Sequence, residues 1–239
     1  MNILKVHLRK VLLLLLGGTL CVVLGQIPAE PPHKWRVKPG TTEWARLEGQ
    51  AEKVAVLAIS RSEAAALSTK DLVATCMDYP LLASILFFDD RTDGVDFLYE
   101  NFYGFKELLG RPRVGEHLVA YYRSTSIKSM LLSQCLDHLF LDRRFMDILS
   151  ASDRVNLCKA SLRKIHDLRK MRKVASQPEV LAARLAMKLM AEKGVTLSHR
   201  GRIFTVNELP SNSAAFLREE SVPGYLDSVL QFCLDTGNN

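Results

Sequence analysis

Apolar residues recur at intervals of three and four along most of this chain, which predicts a succession of short amphipathic helices. The pattern is densest from Leu67 to Tyr122. Within that stretch Ser68 is placed to cap a helix, and Asp71, three positions on, can reach back to the cap. Pro80 breaks this helix and suits the first turn of the next one. The stretch therefore predicts a helical unit with defined ends.

The same periodicity continues on both sides of this unit. Helices are predicted over 42–59, 68–78, 81–88, 95–109, 118–122, 126–149 with a break near 141–142, 153–174, 177–193, 214–220 and 225–235. We expect Gly110 to end one helix in the left-handed conformation, because Pro112 follows it closely. In the helix that begins at Ser126, the spacing directs Met130 and Leu131 inward.

One segment breaks the helical pattern. Residues 195–206 alternate short β-branched or apolar groups around His199-Arg200-Gly201-Arg202, which is typical of a small β-hairpin. The sequence thus predicts a mainly all-α protein with one hairpin. The short helices resemble the layout of a helical solenoid, and an irregular α-bundle is the alternative.

The first 25 residues read as a signal peptide. Lys5, Arg9 and Lys10 precede an apolar run from Val11 to Leu24, which is short for a membrane span. Leu20 stands where a lipobox requires a small residue, so a lipoprotein is not indicated. We expect export to the cell envelope or the medium, with no transmembrane span after cleavage, a proline-rich linker over 26–42 and one helical domain over 43–239. An uncleaved anchor is the alternative.

Removal of residues 1–25 would lower the formal net charge from +6 to +3, because they hold three basic residues and no acidic one. The basic pI then says little about nucleic acid, and none is expected as a partner. The cysteines that remain are Cys76, Cys135, Cys158 and Cys233. Each lies on an apolar helix face, so we expect buried and mostly free thiols, with one disulfide left open.

Candidate chemistry is sparse. The sequence contains no Walker loop, GxGxxG, HExxH or GxSxG motif, and its histidines do not have metal-ligand spacing. The acidic turn 89–94 departs from the calcium-loop pattern, since Arg91 takes a ligand position. We therefore expect no metal and no cofactor, and no catalytic residue is assigned.

Four residues remain as candidates for binding. Tyr99 and Tyr103 lie off the main apolar face of their helix, and tyrosine is favoured at protein interfaces. Glu107 and Arg111 are four residues apart, so they can pair on one helix face. The alternatives are packing against a neighbouring helix for the tyrosines and a structural ion pair for the other two.

The helix over 153–174 carries eight Lys or Arg residues from Arg154 to Lys173. A face of this kind can bind an acidic partner, anionic lipid or nucleic acid, or it can simply be solvated. Aromatic residues for stacking on bases are not interleaved with the charges. The solvated face is the simpler interpretation.

The segment from Trp44 to Arg123 resembles an uncharacterised family of exported bacterial helical proteins. The matching pattern is a Ser or Thr cap, LVxTC, YPL, FxGxxELLxR and a closing LxxY. Its positions are Ser68, Thr69, Leu72, Val73, Thr75, Cys76, Tyr79, Pro80, Leu81, Phe102, Gly104, Glu107, Leu108, Leu109, Arg111, Leu118 and Tyr121. Tyr103 replaces an expected asparagine, and the sequence after Arg111 is more basic than the family pattern. The resemblance implies export and an α fold, and it implies no activity.

Two functions follow as expectations. The first is an interaction or scaffold module that binds another protein at the cell envelope, because surplus aromatics occur without a catalytic motif. The alternative is an exported hydrolase that uses Glu107 and Arg111 with a polar group from the C-terminal half, and a cleft holding these two residues and a histidine would favour it.

Overall fold

The computed structural model describes residues 33–173, the helical residues 178, 181, 182, 184, 185 and 188, and two strand segments, 196–199 and 202–205. The predicted signal peptide, the helices after residue 206 and Cys233 lie outside these residues. The described part is mainly helical, which confirms the all-α prediction.

Ten α-helices and one 3-10 helix are described in residues 33–173. The α-helices are α1 (Thr42–Ala45), α2 (Gln50–Val56), α3 (Arg61–Ala66), α4 (Thr69–Met77), α5 (Arg91–Asn101), α6 (Tyr103–Leu109), α7 (Val114–Ser124), α8 (Met130–Leu141), α9 (Arg143–Asp147) and α10 (Ala151–Lys170), and the 3-10 helix is Leu82–Phe87. Strands β1 (Thr196–His199) and β2 (Arg202–Thr205) pair antiparallel, with Thr196 opposite Thr205, inside the range predicted for a hairpin.

Serine caps begin several of these helices. The side chain of Ser68 accepts a hydrogen bond from the backbone N–H of Asp71, as predicted. Ser60 and Ser150 form complete capping boxes with Glu63 and Asp153. These local bonds satisfy backbone donors that the first helical turn leaves open.

The structure corrects four helix predictions. The helix predicted over 42–59 is two helices, α1 and α2, and the one predicted over 81–88 is a 3-10 helix. The stripe predicted over 95–109 is split at Phe102, whose backbone is extended between α5 and α6. Gly110 is right-handed, with φ −82° and ψ −8°, and the left-handed residue is Arg113, with φ 56°. The left-handed residue of the segment between α6 and α7 is therefore Arg113, directly before α7, and not Gly110.

Buried side chains from Trp35 to Leu185 form one hydrophobic cluster. Trp35 is 7% exposed and lies edge-on to Tyr79 and Phe102, so the predicted linker is packed against the helices at this residue. The rings of Tyr79 and Phe102 stack at 4.2 Å between centroids. The extended backbone at Phe102 thus places its ring in the core, in contact with the ring of Trp35.

Several helices pack on partners that are distant in sequence. α3 and α4 both contact α6, the 3-10 helix contacts α8, and α7 contacts α10. This pattern favours the irregular bundle over a solenoid, in which each unit contacts its sequence neighbours.

Cys76, Cys135 and Cys158 are buried, as predicted, and Cys76 and Cys135 are free thiols. Burial raises the pKa of the Cys76 thiol well above its usual range and that of Cys135 to about 11. These thiols are held in the unreactive protonated form.

Candidate functional site

The four candidate residues lie on α5, on α6 and just past the end of α6, and the structure separates them into two groups. Tyr103, Glu107 and Arg111 follow one another along α6 and just past its end. The Tyr103 hydroxyl donates to Glu107 Oε2 at 3.3 Å, and Arg111 Nε donates to Glu107 Oε1 at 2.8 Å. Glu107 thereby joins the other two in a single line of contacts.

Arg111 also reaches across to another helix. Its terminal nitrogen donates to the backbone oxygens of Ala64 and Ala65, each at 3.0 Å, in the last turn of α3. Carbonyls at a helix end lack intrahelical partners, and a cation there also interacts favourably with the helix dipole. The Glu107–Arg111 pair is therefore packed against a helix end, with about a fifth of each side chain exposed.

The ring of Tyr103 has a cation beside it. The guanidinium carbon of Arg61, the first residue of α3, lies 5.4 Å from the ring centroid. A cation at this distance from an aromatic face is attracted by the ring quadrupole. Tyr103 is partly exposed, so its ring is held in place while one side remains at the surface.

Tyr99 belongs to the second group. Its ring centroid lies 5.6 Å from Lys106 Nζ and 5.0 Å from the guanidinium carbon of Arg144. Arg144 is fixed in turn: it donates to both carboxylate oxygens of Asp142, at 2.8 and 2.9 Å, and to Asp96 at 2.6 Å. Hydrogen bonding to Asp142 raises the pKa of Arg144 above its usual range. Tyr99 is thus a partly exposed ring with two cations close to it, and one of them is held by three hydrogen bonds to carboxylates.

A second polar cluster, which the sequence did not predict, lies inside the bundle between α7, α8 and α10. The Tyr122 hydroxyl donates to Asp137 Oδ1 at 2.5 Å and lies 3.2 Å from the Ser161 hydroxyl. Lys164 Nζ donates to the Ser133 hydroxyl at 3.0 Å. All five residues are at most 9% exposed.

Burial controls the protonation of this cluster. It lowers the pKa of Lys164 to about 8, an effect that the nearby Asp137 carboxylate partly offsets. Burial also raises the pKa of Asp137 and, more strongly, that of Tyr122. At neutral pH Lys164 is therefore a buried cation that donates to Ser133.

Helical phase could have identified part of this cluster. Ser161 and Lys164 are three residues apart and share the face of Leu157, Ile165 and Leu168, all of them apolar residues that point into the core. The run of basic residues along this helix favoured an outer solvated face, and Lys164 was not distinguished from the other basic residues. The partners of Ser161 and Lys164 lie more than 25 residues away, so no local pattern predicts the pairing.

Two further properties apply to the residues that the structure describes. None of their helices combines the length and the apolar character that crossing a membrane requires. Among the same residues, no group of three or more His, Cys, Asp or Glu is placed to hold a metal ion.

Comparison with known proteins adds no relative: protein-family models, curated proteins and solved structures give no match to this chain.

Proposed function

We propose that this protein is an exported interaction module that binds another protein at the cell envelope through a surface centred on Tyr99 and Tyr103. The observation that carries the proposal is the restraint on the two rings. Each is partly exposed, and each has at least one Lys or Arg 5.0–5.6 Å from its centroid.

Restraint matters because binding immobilises side chains at the interface. A tyrosine that is already fixed in the free protein loses less conformational entropy when a partner covers it. Tyrosine and arginine are also the residue types that most often dominate binding energy in protein interfaces. Tyr99 with Arg144, and Tyr103 with Arg61, supply two such pairs, whose tyrosines lie on the consecutive helices α5 and α6.

The hydrolase alternative places a site at Glu107 and Arg111. In the structure these groups contact each other, Tyr103 and the end of α3, and these contacts account for the pair as a helix-packing device. The described residues therefore add support to the interaction module and none to the hydrolase.

The experiment is affinity capture from a native envelope fraction, with the full chain as bait and quantitative mass spectrometry as readout. Two baits are compared with the wild type: Tyr99→Ala with Tyr103→Ala, and the single variant Phe87→Ala. Phe87 is the matched control because it is an aromatic residue that is 84% exposed outside the proposed surface.

We expect the double variant to lose at least one protein that the wild type and Phe87→Ala both retain. The captured protein is then purified and its affinity for the three baits is measured directly. If all three baits capture the same proteins, the proposed binding surface at Tyr99 and Tyr103 is contradicted. Circular dichroism of each bait checks that the helices are retained.

A further inference from the structure

An exposed apolar patch lies where α8 begins and α10 ends. Met130 is 41% exposed, Leu131 is 56% exposed and Met171 is 40% exposed. The periodicity predicted that Met130 and Leu131 point inward, and this prediction is wrong. Among the described residues, only Val56 and Phe87 are other large apolar side chains with comparable exposure.

The two helix ends are in contact with each other. Lys173 Nζ, just past α10, lies 3.3 Å from Met130 Sδ at the start of α8. Below the surface, Lys164 of α10 donates to Ser133 in the first turn of α8. Met130, Leu131 and Met171 therefore belong to one surface, which we call the methionine tip.

Basic residues surround the methionine tip. Lys128, Lys170, Arg172 and Lys173 are all exposed, and Asp167 is the single acidic residue between Leu157 and Lys173. On the other side of the tip, Lys128 is the only charged residue between Ser124 and Leu136. The tip is thus apolar at its centre and positive around it.

The backbone after α10 keeps these charges together. The N–H of Lys173 donates to the Leu168 carbonyl at 2.9 Å, and Arg172 is left-handed, with φ 54°. This is the reversal that commonly ends a helix, usually with glycine at the left-handed position. Here an arginine occupies that position, so the reversal adds a charge to the tip where glycine would add none.

A surface of this composition is suited to bind at the interface of an anionic lipid membrane. Apolar side chains enter the boundary between headgroups and acyl chains, while Lys and Arg around them attract acidic headgroups. Methionine suits the apolar role because its unbranched, flexible side chain adapts to irregular surroundings. We propose that the methionine tip binds the surface of an anionic membrane, which positions the protein there without a membrane-spanning helix among the described residues. The inference goes beyond the proposed tyrosine surface and is independent of it.

Vesicle co-sedimentation tests this proposal. The full chain is mixed with vesicles of phosphatidylcholine alone or of phosphatidylcholine with an equal share of phosphatidylglycerol, at low and high sodium chloride. Every variant carries the same N-terminal segment, so a difference between a variant and the wild type is not caused by that segment.

The charge variant combines Lys170→Gln, Arg172→Gln and Lys173→Gln. Each lost charge is expected to weaken binding about five-fold, so the triple variant should bind on the order of 100-fold more weakly to the anionic vesicles. Its matched control, Arg36→Gln with Arg46→Gln and Lys70→Gln, has the same net charge and changes exposed residues elsewhere. That control should bind nearly as well as the wild type.

The apolar variant combines Met130→Ser, Leu131→Ser and Met171→Ser, with Phe87→Ser as the control for a lost exposed apolar side chain. We expect about a ten-fold or larger loss for the tip variant and little change for Phe87→Ser. All substituted positions are exposed, and circular dichroism confirms folding.

Three results would overturn the proposal. The first is equal binding to both kinds of vesicle, and the second is an equal loss in each variant and its control. The third is an absence of binding to the anionic vesicles. If sedimentation velocity then shows a dimer that the apolar variant converts to a monomer, the tip is assigned to contact between two copies of the chain.

Discussion

Lys164 Nζ lies 3.3 Å from the centroid of the Tyr122 ring, inside the bundle. The same nitrogen donates to Ser133, and the Tyr122 hydroxyl donates to Asp137. A buried cation is costly unless other groups compensate it. Here an aromatic face, a hydroxyl and a nearby carboxylate do so, and these contacts connect α7, α8 and α10.

The hydroxyl groups of Tyr122 and Tyr79 are predicted to contribute to stability with opposite signs. Tyr122→Phe leaves a buried carboxylate without its donor, so we expect the free energy of unfolding to fall by about 1–3 kcal/mol. The hydroxyl of Tyr79 is buried and has no hydrogen-bond partner among the described residues. Tyr79→Phe should therefore be neutral or stabilising. Urea unfolding measures both, and a larger loss for Tyr79→Phe would contradict the assignment.

The contribution of Lys164 to the free energy of unfolding should change with pH in the alkaline range. Its pKa is about 8 in the folded chain against 10.5 as the reference, so between these values the unfolded chain binds more protons. The difference in unfolding free energy, wild type minus Lys164→Met, should therefore rise with pH across this window, by up to about 1.4 kcal/mol per pH unit.

Urea unfolding at a series of pH values from 7 to 11 measures this difference, with roughly one-unit steps being sufficient to resolve the slope. Lys70→Met, at an exposed position, controls for the general effect of replacing a lysine. A difference that stays constant or falls with pH would exclude a buried lysine with a lowered pKa.

Two glycines should respond oppositely to alanine. A Cβ at Gly94 in α5 would lie 2.8 Å from the Cα of Ile85, a backbone atom of the 3-10 helix. Gly94→Ala should destabilise the protein by about 1–3 kcal/mol, because the two helices must separate. At Gly110 the nearest atom is 3.5 Å away and φ is negative. Gly110→Ala should stabilise by about 0.4–1 kcal/mol by restricting the unfolded chain. Thermal unfolding distinguishes the two signs.

Arg111 should not tolerate replacement by lysine. A single ammonium cannot reproduce the planar guanidinium that contacts Glu107 and the carbonyls of Ala64 and Ala65 together. We expect Arg111→Lys to lower the free energy of unfolding by about 1–2 kcal/mol. Arg113→Lys is the control, because Arg113 pairs with Glu116 at the exposed surface and should matter little. Equal effects of both substitutions would show that the contacts to α3 do not stabilise the fold.

Local signals in the sequence predicted the parts of the fold that are determined locally. Ser68 caps a helix as expected, and the predicted break near Leu141-Asp142 separates α8 from α9. Capping depends on residues within one helical turn, so a single sequence contains the necessary information.

Periodicity failed where tertiary packing decides. Met130 and Leu131 have the spacing of core residues, yet they lie at the first turn of α8 beyond the edge of the core. The extended backbone at Phe102 was missed because its ring fits a continuous apolar stripe, and its stacking on Tyr79 depends on a different helix. The candidate residues Glu107 and Arg111 were paired correctly, but their contact with α3 spans more than 40 residues and no local pattern indicates it.

The burial of Cys76 and Cys135 bears on their reactivity. Both are free thiols, so neither is held in a disulfide in the described fold. Their burial also shields them from thiol-reactive agents while the chain stays folded, and the raised pKa values of Cys76 and Cys135 suppress the thiolate that such agents attack. We therefore expect Cys76 and Cys135 to react with such agents only when the chain opens, so their rate of labelling would report on the opening of the described fold.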